Sequence, residues 1–293
     1  MRDFSADHRW LSINTATLRG AGPLDTAIEA CARHGIRAIS PWRDQVAAIG
    51  LERTKSQVQR HGLALSGYCR GGMFPAMDGA GRRAALDDNR RAVDEAATLD
   101  AACLVLVVGS LPGALAGTPQ SKDLFAARRD VHDGIAATLE YARSAGMPLA
   151  IEPLHPMYAA DRACVNTLEQ ALDLCDAIDP ERQAGSKGAA LGVAVDVYHV
   201  WWDPKLEAQI VRAGNDRLLA FHVCDWLVPT RDLLNDRGMM GDGVIEIARI
   251  RGWMEAAGFA GYSEVEIFST EDWWKRPADE VLATCINRHR NAV

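Results

Sequence analysis

The chain has 293 residues, 48 % of them hydrophobic and 24 % charged, which is the composition of an ordinary soluble globular protein. Its net charge of −7, with no run of Lys or Arg longer than two, opposes a partner that is gripped through its phosphate backbone, so no nucleic acid is expected. The length suits two small domains or one α/β barrel.

Short apolar runs recur along the chain: "LSINTA" (11–16), "RAIS" (37–40), "LALSGY" (63–68), "CLVLVVG" (103–109), "PLAIE" (148–152), "LGVAVD" (191–196), "LLAFHV" (218–223) and "SEVEIF" (263–268). They are nearly continuous in hydrophobicity and partly β-branched, as parallel strands buried on both faces are. Helical patterns with readable ends lie between them. "DTAIEACARHGI" sets Ile28, Cys31 and Ala32 on one face and stops at Gly35. "NTLEQALDLCDAIDP" has Asn166 or Thr167 as its cap and ends before Pro180. "DPKLEAQIVRAG" offers Asp203 as cap, Pro204 at the first helical position and Gly214 as a stop, and a last helix begins at Pro277. Eight strands alternating with helices predict an α/β protein, a single (β/α)8 TIM barrel over residues 1–293. The loop 181–190 is flexible in composition but too short to separate domains. An open doubly wound sheet is the competing architecture. Its G-x-G-x-x-G is missing from the first loop, "TLRGAGPLD", where Gly20 and Gly22 stand alone.

Seven scattered cysteines, odd in number and without a C-x-x-C pair, argue against a disulfide framework or a structural zinc and for a reducing compartment. The N-terminus lacks an apolar signal core, and "AACLVLVVG" is the longest apolar block, far short of a membrane span. A cytoplasmic protein with no membrane partner is the expectation.

Catalytic groups of a barrel project from the C-terminal ends of its strands. The last four strands end at Glu152, Asp196, His222 and Glu266. One acid at a strand end is commonly solvated or caps the next helix. Three carboxylates and one imidazole converging on the mouth would repel and retain protons. A single divalent cation resolves this, and an oxygen-rich set with one nitrogen suits Mn²⁺ first, with Mg²⁺, Co²⁺ or Zn²⁺ also compatible.

Glutamate in "LAIEP", D-x-x-H in "VDVYH", histidine in "AFHVCD" and glutamate in "EVEIF" follow one another in the order of the xylose isomerase-like TIM barrels. The chain resembles that superfamily, and within it the sugar phosphate isomerase/epimerase family, over nearly its whole length. The resemblance implies that Glu152, Asp196, His222 and Glu266 hold the metal. It further implies that Glu152 and Glu266 move the substrate's proton, and that His199 meets a substrate oxygen or orients a ligand. It calls for an arginine soon after His222; Arg231 and Arg237 both qualify, and Asp225 sits nearby to orient a ligand or meet a hydroxyl. His155, in "EPLHP", departs from the family's pattern and reads as an added acid or base, or as a loop residue. Family members are often dimers or tetramers, so a homo-oligomer built through helices or loops is compatible.

Six tryptophans, Trp42, Trp201, Trp202, Trp226, Trp273 and Trp274, follow predicted strands and are expected at the mouth, with Trp42, Trp202 and Trp226 against substrate. Such a wall suits the apolar faces of a carbohydrate, although loop packing explains any single indole equally well. Arg43 and Arg70 follow the second and third strands, where they meet a phosphate or carboxylate or pair with surface acids. The resulting expectation is a metal-dependent isomerase or epimerase that works through an enediolate on a ketose or keto sugar. The alternative is a lyase or dehydratase that eliminates from a keto sugar, keto-cyclitol or 3-keto glycoside. An endonuclease IV-like nuclease lacks its extra histidines in "GYCRGG" and "VVGSLP", and a binding barrel without activity does not need four ligands.

Overall fold

The computed structural model describes residues 2–181 and 191–293. Except for Glu181, the loop read at 181–190 lies outside the described residues. The strands are β1 (Leu11–Asn14), β2 (Ala38–Ser40), β3 (Ala64–Leu65), β4 (Tyr68–Gly72), β5 (Leu104–Val107), β6 (Leu149–Ile151), β7 (Leu191–Asp196), β8 (Leu218–Val223), β9 (Asp225–Trp226), β10 (Arg237–Gly238) and β11 (Ser263–Val265). Nine of them form one parallel sheet in the order β3-β2-β1-β11-β8-β7-β6-β5-β4. Bridges from Leu65 to Ala101 and from Trp42 to Cys69 join its two ends, so the sheet curls into a nearly closed barrel with helices outside.

All eight predicted runs form strands, but the third is divided. Its first half pairs with β2 and its second with β5, and the ladder slips between Cys69 and Gly71. Gly72 explains why the second half needs a glycine. Its φ is +104°, and a Cβ there would lie 2.0 Å from the Val107 carbonyl oxygen. β9 and β10 form a small antiparallel ribbon outside the barrel, within the long segment after His222.

Helix ends follow side-chain chemistry. Thr167 caps the helix Leu168–Ile178 by accepting from the Gln170 N–H at 3.2 Å. Asp203 turns the chain by accepting from the Lys205 N–H at 2.8 Å, so that helix starts at Leu206, later than expected. Gly214, with φ +57°, interrupts it near its end, where a stop was expected, and the helix resumes to Arg217.

Strand alternation sorts the side chains into two cores. The larger lies between strands and helices. The smaller fills the barrel with Cys69, Cys103, Val105, Ala150, Ala194 and Ala220. All seven cysteines are free and buried. No helix among the described residues is long and apolar enough to cross a membrane.

The C-terminal helix Ala278–Ala292 packs on the N-terminal segment through His289, whose ring stacks on Phe4 at 4.3 Å. His289 is fully buried, and neither ring nitrogen has a hydrogen-bond partner among the described residues. Burial, then the charge of Arg251, lowers it from 6.5 to about 3. The folded protein therefore refuses a proton that the unfolded chain accepts below pH 6.5, and this stability is lost as pH falls towards 3. At pH 5 the loss is up to about 2 kcal/mol. His289→Phe keeps the stack and removes the titration, so its melting temperature should fall less than the parent's between pH 7 and pH 5 in calorimetry.

Candidate active site

The period of two along each strand builds the site. Ala150, Ala194 and Ala220 point into the barrel, and two residues later Glu152, Asp196 and His222 do the same one layer nearer the mouth. β11 contributes Glu264 and Glu266 by the same rule. Register places Asp196 and Glu264 on either side of His222. Small side chains beneath leave the polar layer its space.

Glu152, Asp196, His222 and Glu266 are all buried, and each offers a ligand atom within 4.8 Å of the others. His222 Nδ1 lies 2.8 Å from Glu152 Oε1 and 3.9 Å from Glu266 Oε2. The first pair lies outside hydrogen-bond geometry, and Glu152 Oε1 and both His222 nitrogens have no hydrogen-bond partner among the described residues. Buried polar atoms without partners are costly. Three carboxylate oxygens and a nitrogen converging on one point, some of them orphaned, fit a divalent cation.

Glu264 was missed in the sequence, although "SEVE" places two glutamates on one face of a strand. It is buried and accepts from Asn14 Nδ2 at 2.9 Å and Ser66 Oγ at 2.7 Å, while His222 Nε2 lies 3.4 Å from its Oε1. Burial alone would strip His222 of its proton, but Glu264 and Glu152 hold it well above its usual value. Burial pushes Glu266 up to about 8, against the pull of Arg237. Asp196 stays below the usual carboxylate value, with Arg237 the largest pull against burial.

Of the two candidate arginines, Arg237 reaches the cluster. It is buried on β10, with Nη1 2.9 Å from Asp196 Oδ2 and 3.0 Å from Glu266 Oε2. Arg231 faces out and is tied to Asp236. Asp225 accepts from the N–H groups of Trp226, Gly241 and Ile245, so its carboxylate anchors the loop that carries Arg237. His199 is buried, and its Nδ1 accepts from the His155 N–H at 3.2 Å. Its Nε2 lies 3.6 Å from Asp196 Oδ2 and 3.1 Å from Arg237 Nη2, so an N–H donor faces each ring nitrogen. The Arg237 guanidinium thus touches both Asp196 and the His199 ring. Burial lowers His199 to about 3, so it is neutral.

Above the cluster opens a cavity of about 140 Å³. Glu152, Glu266, His199, Arg237 and Arg70 line it, with Trp42, Tyr158 and Phe268 as its aromatic walls. The other five tryptophans after strands, and His155, are not among its lining residues. Trp226 stacks on His155 at 4.9 Å and lies tilted against Tyr198 at 4.8 Å, Trp202 donates to the His199 carbonyl, and Trp274 donates to the Ala16 carbonyl. Their indoles pack loops together and satisfy backbone groups. Arg43 is turned away and held by Asp88 and Glu95. Arg162, which the sequence did not single out, also lines the cavity.

A barrel with a carboxylate–histidine cluster at its C-terminal mouth defines a class of metal-competent α/β barrels. The chain belongs to the xylose isomerase-like TIM barrel family, whose model matches residues 28–285. It is similar to protein SMc04130 from Sinorhizobium meliloti 1021, with 62 % identity over 97 % of this chain and 98 % of that one and a TM-score of 0.90. It shares its fold with IolI protein carrying a bound zinc atom, at 20 % identity, 97 % coverage of both chains and a TM-score of 0.79. It also shares it with D-allulose 3-epimerase from Methylomonas sp., at 18 % identity, 98 % and 99 % coverage and a TM-score of 0.73. No curated protein matches the chain.

Arg237→Met strands Asp196 as a buried charge. Denaturation of the metal-free variant should show a loss of about 3 kcal/mol. Arg231→Met, at an exposed pair, should cost clearly less in the same measurement.

Proposed function

We propose that the protein is a divalent-metal-dependent sugar isomerase or epimerase that moves a proton on a ketose or keto sugar through an enediolate. The observation that carries this reading is that Glu152 and Glu266, two members of the buried cluster, line the same cavity. The residues that would hold the metal are Glu152, Asp196, His222 and Glu266, with Mn²⁺ the first choice. When bound, the cation supplies Lewis-acid polarisation of the carbonyl and stabilises the charge that develops as the α-proton leaves.

The chain's own residues do the rest. One glutamate takes the proton from the carbon beside the carbonyl, and the other returns it. Their shared cavity makes that exchange local, because the proton need not cross bulk water. The Arg237 guanidinium and the His199 ring meet a substrate oxygen and fix which carbon faces the glutamates. Trp42, Tyr158 and Phe268 cover the apolar faces of the sugar and exclude water from the enediolate. The zinc found in IolI protein and the sugar chemistry named in D-allulose 3-epimerase support the reading through a common fold. The free, buried cysteines fit a reducing compartment such as the cytoplasm.

The test is incubation of Mn²⁺-loaded protein in D2O with ketoses, keto-cyclitols and 3-keto glycosides, followed by NMR after the metal is removed. Deuterium should enter the α-position only with metal present, together with a new epimer or aldose. An unsaturated product would assign elimination instead. Glu266→Gln should keep the fold by circular dichroism, weaken Mn²⁺ binding and reduce exchange by about 10²-fold or more. Full exchange with undiminished metal in that variant would sink the mechanism.

A further inference from the structure

Five charged residues line the cavity: Glu152, Glu266, Arg70, Arg162 and Arg237. The two glutamates belong to the cluster, and Arg237 is paired there. Two guanidinium groups remain. Arg70 is half-buried and makes no ion pair or hydrogen bond among the described residues. Its neighbours differ. Arg19 is held by Asp44, and Arg43 by Asp88 and Glu95, although both line an adjoining pocket that shares Arg70 with the cavity. Arg162 has only a loose contact with Asp161, at 3.9 Å, and its buried Nε has no hydrogen-bond partner. Burial, then repulsion from Arg162, lowers the Arg70 guanidinium below its usual value. Two cations thus repel each other on the wall of one cavity, and neither has an ion pair closer than 3.9 Å among the described residues.

We infer that the substrate carries an anionic group, carboxylate or phosphate, which Arg70 and Arg162 hold while its reacting carbon faces Glu152 and Glu266. Guanidinium groups suit this task because they present parallel N–H donors to two oxygens of a carboxylate or phosphate. Arg162 lies over the Tyr158 ring at 5.7 Å, which limits its freedom without neutralising it. The inference rests on the sugar isomerase reading for the reacting end, and adds that neutral sugars lack one of the two contacts that orient the substrate.

Three sugars that differ only at carbon 6 test it: D-fructose, D-fructuronate and D-fructose 6-phosphate. Each is titrated into Mn²⁺-loaded protein, with binding followed by calorimetry and by the fluorescence of Trp42 in the cavity wall. At least one anionic sugar should bind about tenfold or more tightly than D-fructose. Preference for D-fructuronate assigns a carboxylate, and preference for the 6-phosphate a phosphate. In R70Q/R162Q the ratio of anionic to neutral affinity should fall towards one, and Arg70→Lys should retain part of it. Equal affinity of all three sugars for the parent protein overturns the inference, and so does a preference that survives in the double variant. Deuterium exchange, run on the same samples, separates the two ideas. Exchange into all three sugars without anion preference keeps the isomerase and removes the anion site. Arginine-dependent anion binding without exchange into any sugar keeps the anion site and removes the isomerase.

Discussion

Four carboxylates sit around one imidazole inside the mouth of the barrel, where water cannot screen them. That constraint organises the rest of the site. Asn14 and Ser66 donate to Glu264, Arg237 lies against Asp196 and Glu266, and His222 lies among Glu152, Glu264 and Glu266. Even so, buried atoms on Glu152 and His222 are left without hydrogen bonds. A site arranged only for stability would have closed those gaps with apolar side chains, since a buried ion pair is weak support for a fold. The cluster has the ligand set that could hold a cation.

The barrel makes such a layer possible. The cluster residues are carried by β7, β8 and β11 and by the exit of β6, and each inherits its direction from strand alternation. Alanines one layer below keep the interior narrow but uncrowded. The groups that face the open part of the cavity have a different origin. Arg237 stands on a short ribbon outside the barrel, held in place by Asp225, which bonds three backbone N–H groups of the same loop.

The eight strands and the four residues at their ends were legible because both follow from period and position alone. The resemblance to the xylose isomerase-like barrels, carried by those four residues and the D-x-x-H, agrees with the family match. The split of the third strand was hidden, since the need for glycine at position 72 arises from the Val107 carbonyl on a neighbouring strand. Arg231 and Arg237 could not be separated by spacing, because the β9–β10 ribbon that turns Arg237 inward depends on pairing across the loop. Position after a strand does not place a tryptophan at the cavity: Trp202 and Trp274 turn aside to donate to the His199 and Ala16 carbonyls. The alternation in "SEVE" puts Glu264 on the same face as Glu266, one layer deeper in the barrel. Arg162 lies beyond the fifth apolar run in a stretch with no periodic signal, and only the folded loop brings it to the cavity.

The contrast between strand-borne and loop-borne groups bears on how such a protein changes over generations. A mutation among the cluster residues disturbs charges shared by several strands, so the reaction chemistry is hard to alter in single steps. Arg162 lies in a segment outside the barrel sheet, which can lengthen, shorten or exchange residues without reopening the barrel. Lineages that share this scaffold can therefore diverge in what they accept while keeping how they react, and substrate range is the trait on which selection has the freest hand.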